Sequence, residues 1–334
     1  MSSTQSQEKQ KIGYLYMFLG IFFFATIEIT AKIITSFSKL QQHFLRIILG
    51  VLIISIMIYY RRDYIHPLKY LLDHWKLIIG AAVIWITIAS PVYFFALNLT
   101  KASTAALLLA SNPIIVSIGS MLVLGESKTK IKFIAVIIGF LGALIIITEF
   151  QFGSFEIEEI IGNLLAFFAV FGYSFYTLIS IYLTKKAISS EKNSGTSLEK
   201  FDLALEFNFW GFLFGVIFLI PFFLFDLIII NPILDISGLD VILLLYLGIM
   251  TTGVAYILYT LGINKVEPSR GVLLFYSKPI IAMSLAWLFL QESLTIYFII
   301  GFCLIFIAVI ISEWEKSRLA KKKGNVELME NNLD

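Results

Sequence analysis

Glu28, Lys32 and Lys278 are ionisable groups inside long apolar runs, where a charge costs roughly 2.5–3.5 kcal/mol on insertion scales and rarely faces lipid. Glu28 and Lys32 are four residues apart, so they share one helical face. They can neutralise each other, or Glu28 can take a proton or a cationic substrate group. Lys278 sits about nine residues into another apolar run. An ammonium there needs an anionic partner or gives up its proton. Glu28 and a substrate carboxylate are the two candidates. Asn112 occupies the matching place in an earlier run, and the two are expected to face one cavity from opposite sides.

Uncharged residues join them. Pro113 and Pro279 stand mid-run, where each removes a backbone donor and leaves a carbonyl unpaired. In lipid such a defect must be covered by protein or cavity water, which suits a hinge, a binding site or a plain kink. Tyr93, Tyr173, Tyr176, Tyr256, Tyr259 and Tyr276 fall within the runs, and some could line a cavity, their hydroxyls seeking polar partners. Arg46 and His43 lie early in the second run and read as anchors to the interface or a neighbouring helix. Glu126 and Glu292 precede Thr129 and Thr295 and are expected to cap the helices that follow. Gly211 and Gly215 form a small-residue pair that permits close helix contact.

The elements that carry these residues are hydrophobic helices. Of 334 residues, 59% are hydrophobic and 14% charged, and mean hydropathy is +0.89, so one soluble core cannot hide the apolar runs. Ten runs approach the ~20 residues needed to span a bilayer: Gly13–Ile34, Leu40–Tyr60, Trp75–Leu97, Ala102–Leu124, Ile131–Thr148, Ile160–Leu183, Leu203–Leu227, Leu239–Ile263, Ser269–Leu290 and Thr295–Ser312. The first is read as a retained span rather than a cleaved leader. If the N-terminus is cytoplasmic, 20 of the 25 Lys and Arg fall on cytoplasmic connectors and tails, and only Lys39 and Lys101 on outside connectors. That asymmetry sets the orientation and places both ends in the cytoplasm, with the plasma membrane as the default location.

A shift of 166 residues lays Ala89–Ile145 on Ala255–Ile311, pairing Tyr93 with Tyr259, Ser111 with Ser277, Pro113 with Pro279 and Glu126 with Glu292. Each half therefore holds five spans. Five is odd, so the second half must be inverted in the membrane. The expected fold is all-α and integral to the membrane, with ten transmembrane helices as two inverted five-helix repeats. The boundaries are a tail at 1–12, a first repeat at 13–148, an outside connector at 149–159, a second repeat at 160–313 and a tail at 314–334. The polar stretch 184–202, with a linker-like composition, is a cytoplasmic loop inside the second repeat. Inverted repeats with a midplane site are a recurring plan of secondary transporters.

Two copies of one pattern carry a resemblance. Ala-Ser-Thr-Ala-Ala-Leu-Leu-Leu-Ala-Ser-Asn-Pro (102–113) is followed by Leu-Gly-Glu (124–126); Pro-Ser-Arg-Gly-Val-Leu-Leu-Phe-Tyr-Ser-Lys-Pro (268–279) is followed by Leu-Gln-Glu (290–292). With Phe44-Leu45-Arg46 and Lys32, the chain resembles the ten-helix EamA-type branch of the drug/metabolite transporter superfamily. The resemblance implies export or exchange of small solutes such as amino acids, through a central cavity lined by both halves. The expected partners are a small-molecule solute, a proton or counter-solute, and the lipid bilayer.

Other classes fit less well. No cofactor or metal is called for: Cys303 is the single cysteine, and the three His do not cluster. No phosphate-binding loop of the Gly-x-x-x-x-Gly-Lys-Ser/Thr type occurs, the scattered basic residues argue against nucleic acid, and nothing points to an enzyme. A channel or a non-transporting scaffold or sensor is the alternative.

Overall fold

The computed structural model describes residues 3–61, 67–148, 157–191, 200–233, 235–263, 265, 274–275, 277–293 and 295–330. Nine helices among them are long and apolar enough to cross a membrane, and a tenth is shorter. In chain order they are α1 Gln10–Ile33, α2 Lys39–Tyr60, α3 Lys69–Ala96, α4 Ala102–Val123, α5 Lys130–Thr148, α6 Ile157–Ala187, α7 Phe201–Ile230, α8 Gly238–Gly262, α9 Ser277–Leu290 and α10 Ile296–Glu315. The protein is an all-α integral membrane protein. Phe140, Phe222, Ile228 and Trp287 are exposed, as a lipid-facing belt requires.

The ten apolar runs are all present as helices, with most ends within a few residues of those expected. Two polar stretches are more helical than composition suggests: the helix containing α6 runs on to Glu191, and that containing α10 to Glu330. The start expected for α9 at Ser269, and Tyr276, lie outside the described residues.

Helix pairing follows the repeat. α1 packs on α8, α3 on α6, α2 on α7, α4 on α9, and α5 most extensively on α10. Exchanging each helix for the one five places further on leaves this set unchanged, as a pseudo-twofold demands. Equivalent helices run antiparallel. Arg61 at the end of α2 grips Asp202 at the start of α7 through two hydrogen bonds of 2.6 and 2.9 Å. At the other end of the same pair, the Ser38 hydroxyl donates to Asp226 at 2.5 Å. A Cβ on Gly142 of α5 would meet Ile305 of α10, whereas one on Gly301 would meet Ile146. Rising numbers in one helix thus oppose falling numbers in the other, and the halves are inverted.

The repeat also reproduces local irregularities. α3 and α8 each contain a stretch of π-helix, Val83–Ala89 and Ile249–Val254, beginning at equivalent residues. α4 breaks between Leu109 and Asn112, where Pro113 cannot donate to the preceding turn, and the Ser111 hydroxyl bonds the Leu108 carbonyl at 2.6 Å. At the equivalent place before α9, Ser277 bonds the Leu274 carbonyl at 2.7 Å. Pro113 marks a kink in α4, and Pro279 stands in the first turn of α9 behind a serine braced in the same way.

The Leu-Gly-Glu motif also has a structural cause. Gly125 and its counterpart Gln291 take left-handed backbone angles, φ 66° and 54°. The turn lets the Glu126 amide reach the Ser120 carbonyl and the Glu292 amide the Ala286 carbonyl, closing each helix C-terminus. A non-glycine residue in this region costs roughly 1–2 kcal/mol. Gln291→Gly is therefore expected to leave the protein equally or more stable in detergent, and a clear fall in melting temperature would refute that account.

Gly211 and Gly215 serve internal contacts: a Cβ at the first would meet Tyr176 of α6, and at the second Ile86 of α3.

Candidate functional site

Where the irregular segments of α1, α3, α4 and α8 converge, they enclose a cavity of about 50 Å³, room for a few waters. Its wall includes Glu28 of α1, Arg46 of α2, Trp85, Ser90 and Tyr93 of α3, Leu109 and Ala110 at the α4 break, Tyr173 of α6, Tyr256 of α8, and Lys278 of α9. Both halves contribute. π-helical turns gather at functional sites because they re-aim side chains out of helical register. Here Trp85 lies in one such turn and Tyr256 follows the other.

Glu28 is fully buried and Lys278 nearly so. The Lys278 ammonium lies 3.0 Å from Glu28 Oε1, and the Tyr93 hydroxyl donates to the same oxygen at 2.7 Å. Glu28 Oε2 is buried with no hydrogen-bond partner among the described residues. Opposite charges from the two halves thus meet 250 residues apart in sequence. α1 breaks at Thr26, whose hydroxyl donates to the Phe23 carbonyl at 2.7 Å and contacts the Tyr246 hydroxyl at 3.0 Å, so the segment bearing Glu28 is a separate short helix.

Arg46 is buried in this wall. Its guanidinium reaches the Thr252 hydroxyl at 3.2 Å, the Ser90 hydroxyl at 3.5 Å and His43 Nδ1 at 3.4 Å, over the Phe94 ring at 4.6 Å from its centroid. His43 Nε2 is 2.9 Å from the Ile86 carbonyl. A carbonyl can only accept, so Nε2 carries the proton and Nδ1 is free to accept from Arg46. His43 is neutral in this arrangement. The expectation of an anchoring role for Arg46 is half met, since it ties neighbouring helices together but also faces the cavity.

Other expected residues are placed elsewhere. Lys32 does not pair with Glu28. One turn nearer the face opposite the chain ends, it reaches Glu292 at 3.3 Å and stays about one quarter exposed, at 24%. Glu28 is already satisfied from α9, and a lysine stem that extends toward water avoids full burial. Asn112 does not line the cavity; it bonds the Ser174 hydroxyl of α6 at 3.1 Å. Lys278 reaches α1 and Asn112 reaches α6, the repeat partner of α1, so position is repeated while chemistry is not. Tyr259 packs edge-on against Phe24 and Phe275 behind the cavity wall.

Glu292 does not cap the helix that follows it. Thr295 does so, accepting from the Phe298 amide at 3.1 Å, and Thr129 accepts from the Lys132 amide at 3.3 Å. Glu292 caps α4 of the other half: its carboxylate accepts from the Ala102 and Ser103 amides at 2.7 and 3.0 Å and from the Ser103 hydroxyl at 2.7 Å. A carboxylate belongs at a helix N-terminus, where amides and dipole are positive. Burial alone would raise the Glu292 carboxyl pKa; the Ser103 hydroxyl, the two amides and Lys32 outweigh it and hold the group below the ordinary carboxylate value. A depressed folded pKa stabilises above the unfolded pKa and is lost as pH falls through the folded one. Glu292→Ala is therefore expected to cost ~0.5–2 kcal/mol at neutral pH, the value of a lost cap, and to remove part of the acid-side fall in melting temperature. Parallel wild-type and variant curves from pH 7 to 3 would refute it.

Arg46, Trp85, Ser90 and Phe94 were not among the sequence candidates for the cavity. Arg46 carried a signal, a cation inside an apolar run; the others are ordinary wall residues with none.

A largely apolar chamber that holds a few buried charges lies between two inverted helical halves, the plan of many secondary transporters. The family model described as the EamA-like transporter family matches residues 11–148 and again 160–314, and the chain belongs to that family. It is similar to an uncharacterized transporter of Clostridium kluyveri, 28% identical over 96% of this chain and 99% of the relative. It is also similar to one of Archaeoglobus fulgidus, 23% identical over 77% of this chain and 82% of the relative, and to one of Bacillus subtilis, 21% identical over 67% and 70%. A solved structure titled "Crystal structure of protein" shares the fold, with a TM-score of 0.60 at 16% identity over 92% of this chain and 98% of that one.

Proposed function

We propose that the protein is a secondary carrier of small organic metabolites, amino acids and related solutes, which it exports or exchanges by alternating access. One observation carries the reading: the buried Glu28–Lys278 pair joins the two inverted halves at a chamber to which both contribute. A carrier needs one site that each half can expose in turn. Glu28, Lys32, Tyr93, Asn112, Tyr259, Tyr276 and Lys278 were the sequence candidates for this site, with Pro113 and Pro279 as hinges. The geometry favours Glu28, Tyr93 and Lys278 at its centre, the prolines as pivots, and Lys32 with Glu292 as a closure on the face opposite the chain ends. Opening on that face must part Glu292 from the α4 N-terminus. Protonation of Glu28 would release Lys278, a means of coupling to a proton.

The channel reading is disfavoured by size and chemistry: a chamber of about 50 Å³ crossed by the Glu28–Lys278 pair is not a continuous pore. Counterflow in proteoliposomes tests the choice. A carrier gives saturable uptake accelerated by solute on the far side; uptake linear in concentration, with ohmic current and no such acceleration, would refute the proposal. We place the protein in the plasma membrane with both ends in the cytoplasm. Single cysteines at each end, in a Cys303→Ser background, should react from the same side.

A further inference from the structure

We propose that the occupant of the chamber is a small organic anion of net charge −1, its carboxylate held by Arg46 and a hydroxyl donor held by Glu28 Oε2. The inference rests on the carrier reading and narrows its substrate class.

Charge is the first argument. Among the described residues the wall carries two cations, Arg46 and Lys278, and one anion, Glu28. His43 adds none, because its Nδ1 accepts from Arg46 while its Nε2 proton points at the Ile86 carbonyl. Lys278 and Glu28 cancel at 3.0 Å. Arg46 forms no ion pair with any described residue. A guanidinium offers five N–H donors; this one finds three neutral acceptors, two of them at 3.4 and 3.5 Å. Glu28 acts on Arg46 across the chamber but is already held by Lys278 and Tyr93; a buried charge without a partner of its own is costly, and a carboxylate offers the two parallel acceptors that the guanidinium fork matches.

The second argument is an unsatisfied acceptor. Glu28 Oε1 takes both Lys278 and Tyr93, whereas Oε2 is buried without a partner among the described residues. A ligand that brought only a carboxylate would leave this oxygen orphaned; one that also carried an O–H would satisfy it. A zwitterion supplies a donor but no net charge, so the chamber stays at +1. A dianion would carry it to −1. Only a monoanion makes the occupied chamber neutral. Transport of such a cargo moves one negative charge with it unless a counter-ion travels too. The chamber, at about 50 Å³, must widen to admit any organic solute.

Four probes on one three-carbon skeleton separate the claims: lactate (anion with hydroxyl), propionate (anion without), alanine (zwitterion) and lactamide (neutral). The purified full chain is assayed at pH 8 by thermal stabilisation in detergent and by uptake into proteoliposomes under a potassium diffusion potential. Lactate is expected to stabilise at concentrations at least tenfold below alanine and lactamide, with propionate between, and an inside-positive potential should accelerate its uptake. Arg46→Gln should abolish lactate stabilisation. Should that variant fail to fold, Arg46→Lys keeps the charge without the fork and should weaken lactate about tenfold. Chloride should not substitute for lactate. Alanine equalling lactate, chloride matching it, or unaltered lactate affinity in both Arg46 variants would overturn the proposal. Counterflow of alanine alone would overturn this site while leaving the carrier; lactate stabilisation with no counterflow of any probe would leave the site and overturn the carrier.

Discussion

Lys278→Met is expected to abolish solute counterflow and to lower stability by ~3–5 kcal/mol, the cost of removing one partner of a buried ion pair. Glu28 is fully buried, and its remaining partner, the Tyr93 hydroxyl, donates at 2.7 Å without neutralising it. Loss of stability alone would say nothing about transport, so the double variant Glu28→Gln/Lys278→Met matters more. Replacing both charges with neutral groups of similar size removes the orphaned carboxylate, and buried pairs so treated are often no less stable. The double variant should regain most of the melting temperature yet remain inactive. The single and double variants together give the coupling energy directly. If the double variant transports like the wild type, the pair is a structural bolt and the chamber reading fails; unchanged kinetics in Lys278→Met would remove that residue from the site.

Gly142→Leu should separate α5 from α10. A Cβ at Gly142 would stand 2.9 Å from the Gly301 carbonyl oxygen and 3.0 Å from Leu304 Cβ, and a Cβ at Gly301 would stand 2.8 Å from the Gly142 carbonyl. Two backbones touching at their glycines have no flexible side chain to yield, so the helices must move apart. Overpacking of this kind costs ~1–3 kcal/mol, and at the most extensive helix contact in the molecule the upper end is expected. No cavity-wall residue comes from α5 or α10. Gly142→Ala should therefore lower melting temperature modestly with solute affinity unchanged, and Gly142→Leu should lower it strongly. A wild-type melting temperature for the leucine variant would show that the crossing is looser than these distances require.

The two predictions fall on features that differ in legibility. Gly142 and Gly301 offer no sequence signal beyond their type, because which face of α5 meets α10 depends on packing. The ion pair was half legible. A lysine and a glutamate in apolar runs announce that each needs a partner, but Glu28 had Lys32 on its own face as well as Lys278 on a distant helix. The choice went to α9, because Lys32 can extend toward the membrane boundary and find Glu292, whereas Lys278 has no such exit. Arg46 was legible as an anchor to the interface or a neighbouring helix, and it does bond the Thr252 hydroxyl on α8; its place in the cavity wall, over the Phe94 ring, was not. Asn112 was placed in the cavity by symmetry with Lys278, and symmetry carried its position but not its neighbour.

By itself the sequence determined ten apolar spans, their duplication, the inversion that an odd count imposes, and the kink at Pro113. These follow from solvent and backbone terms that act on each segment locally: lipid demands internally bonded helices, and proline lacks a donor wherever it stands. Only the tertiary structure decided that Glu28 pairs with Lys278, that Glu292 caps a helix of the other half, and that Arg46 is left facing the chamber with neutral company. Such choices compare distant partners for one buried group, and the few kcal/mol that separate them reside in distances that exist only once the helices have packed.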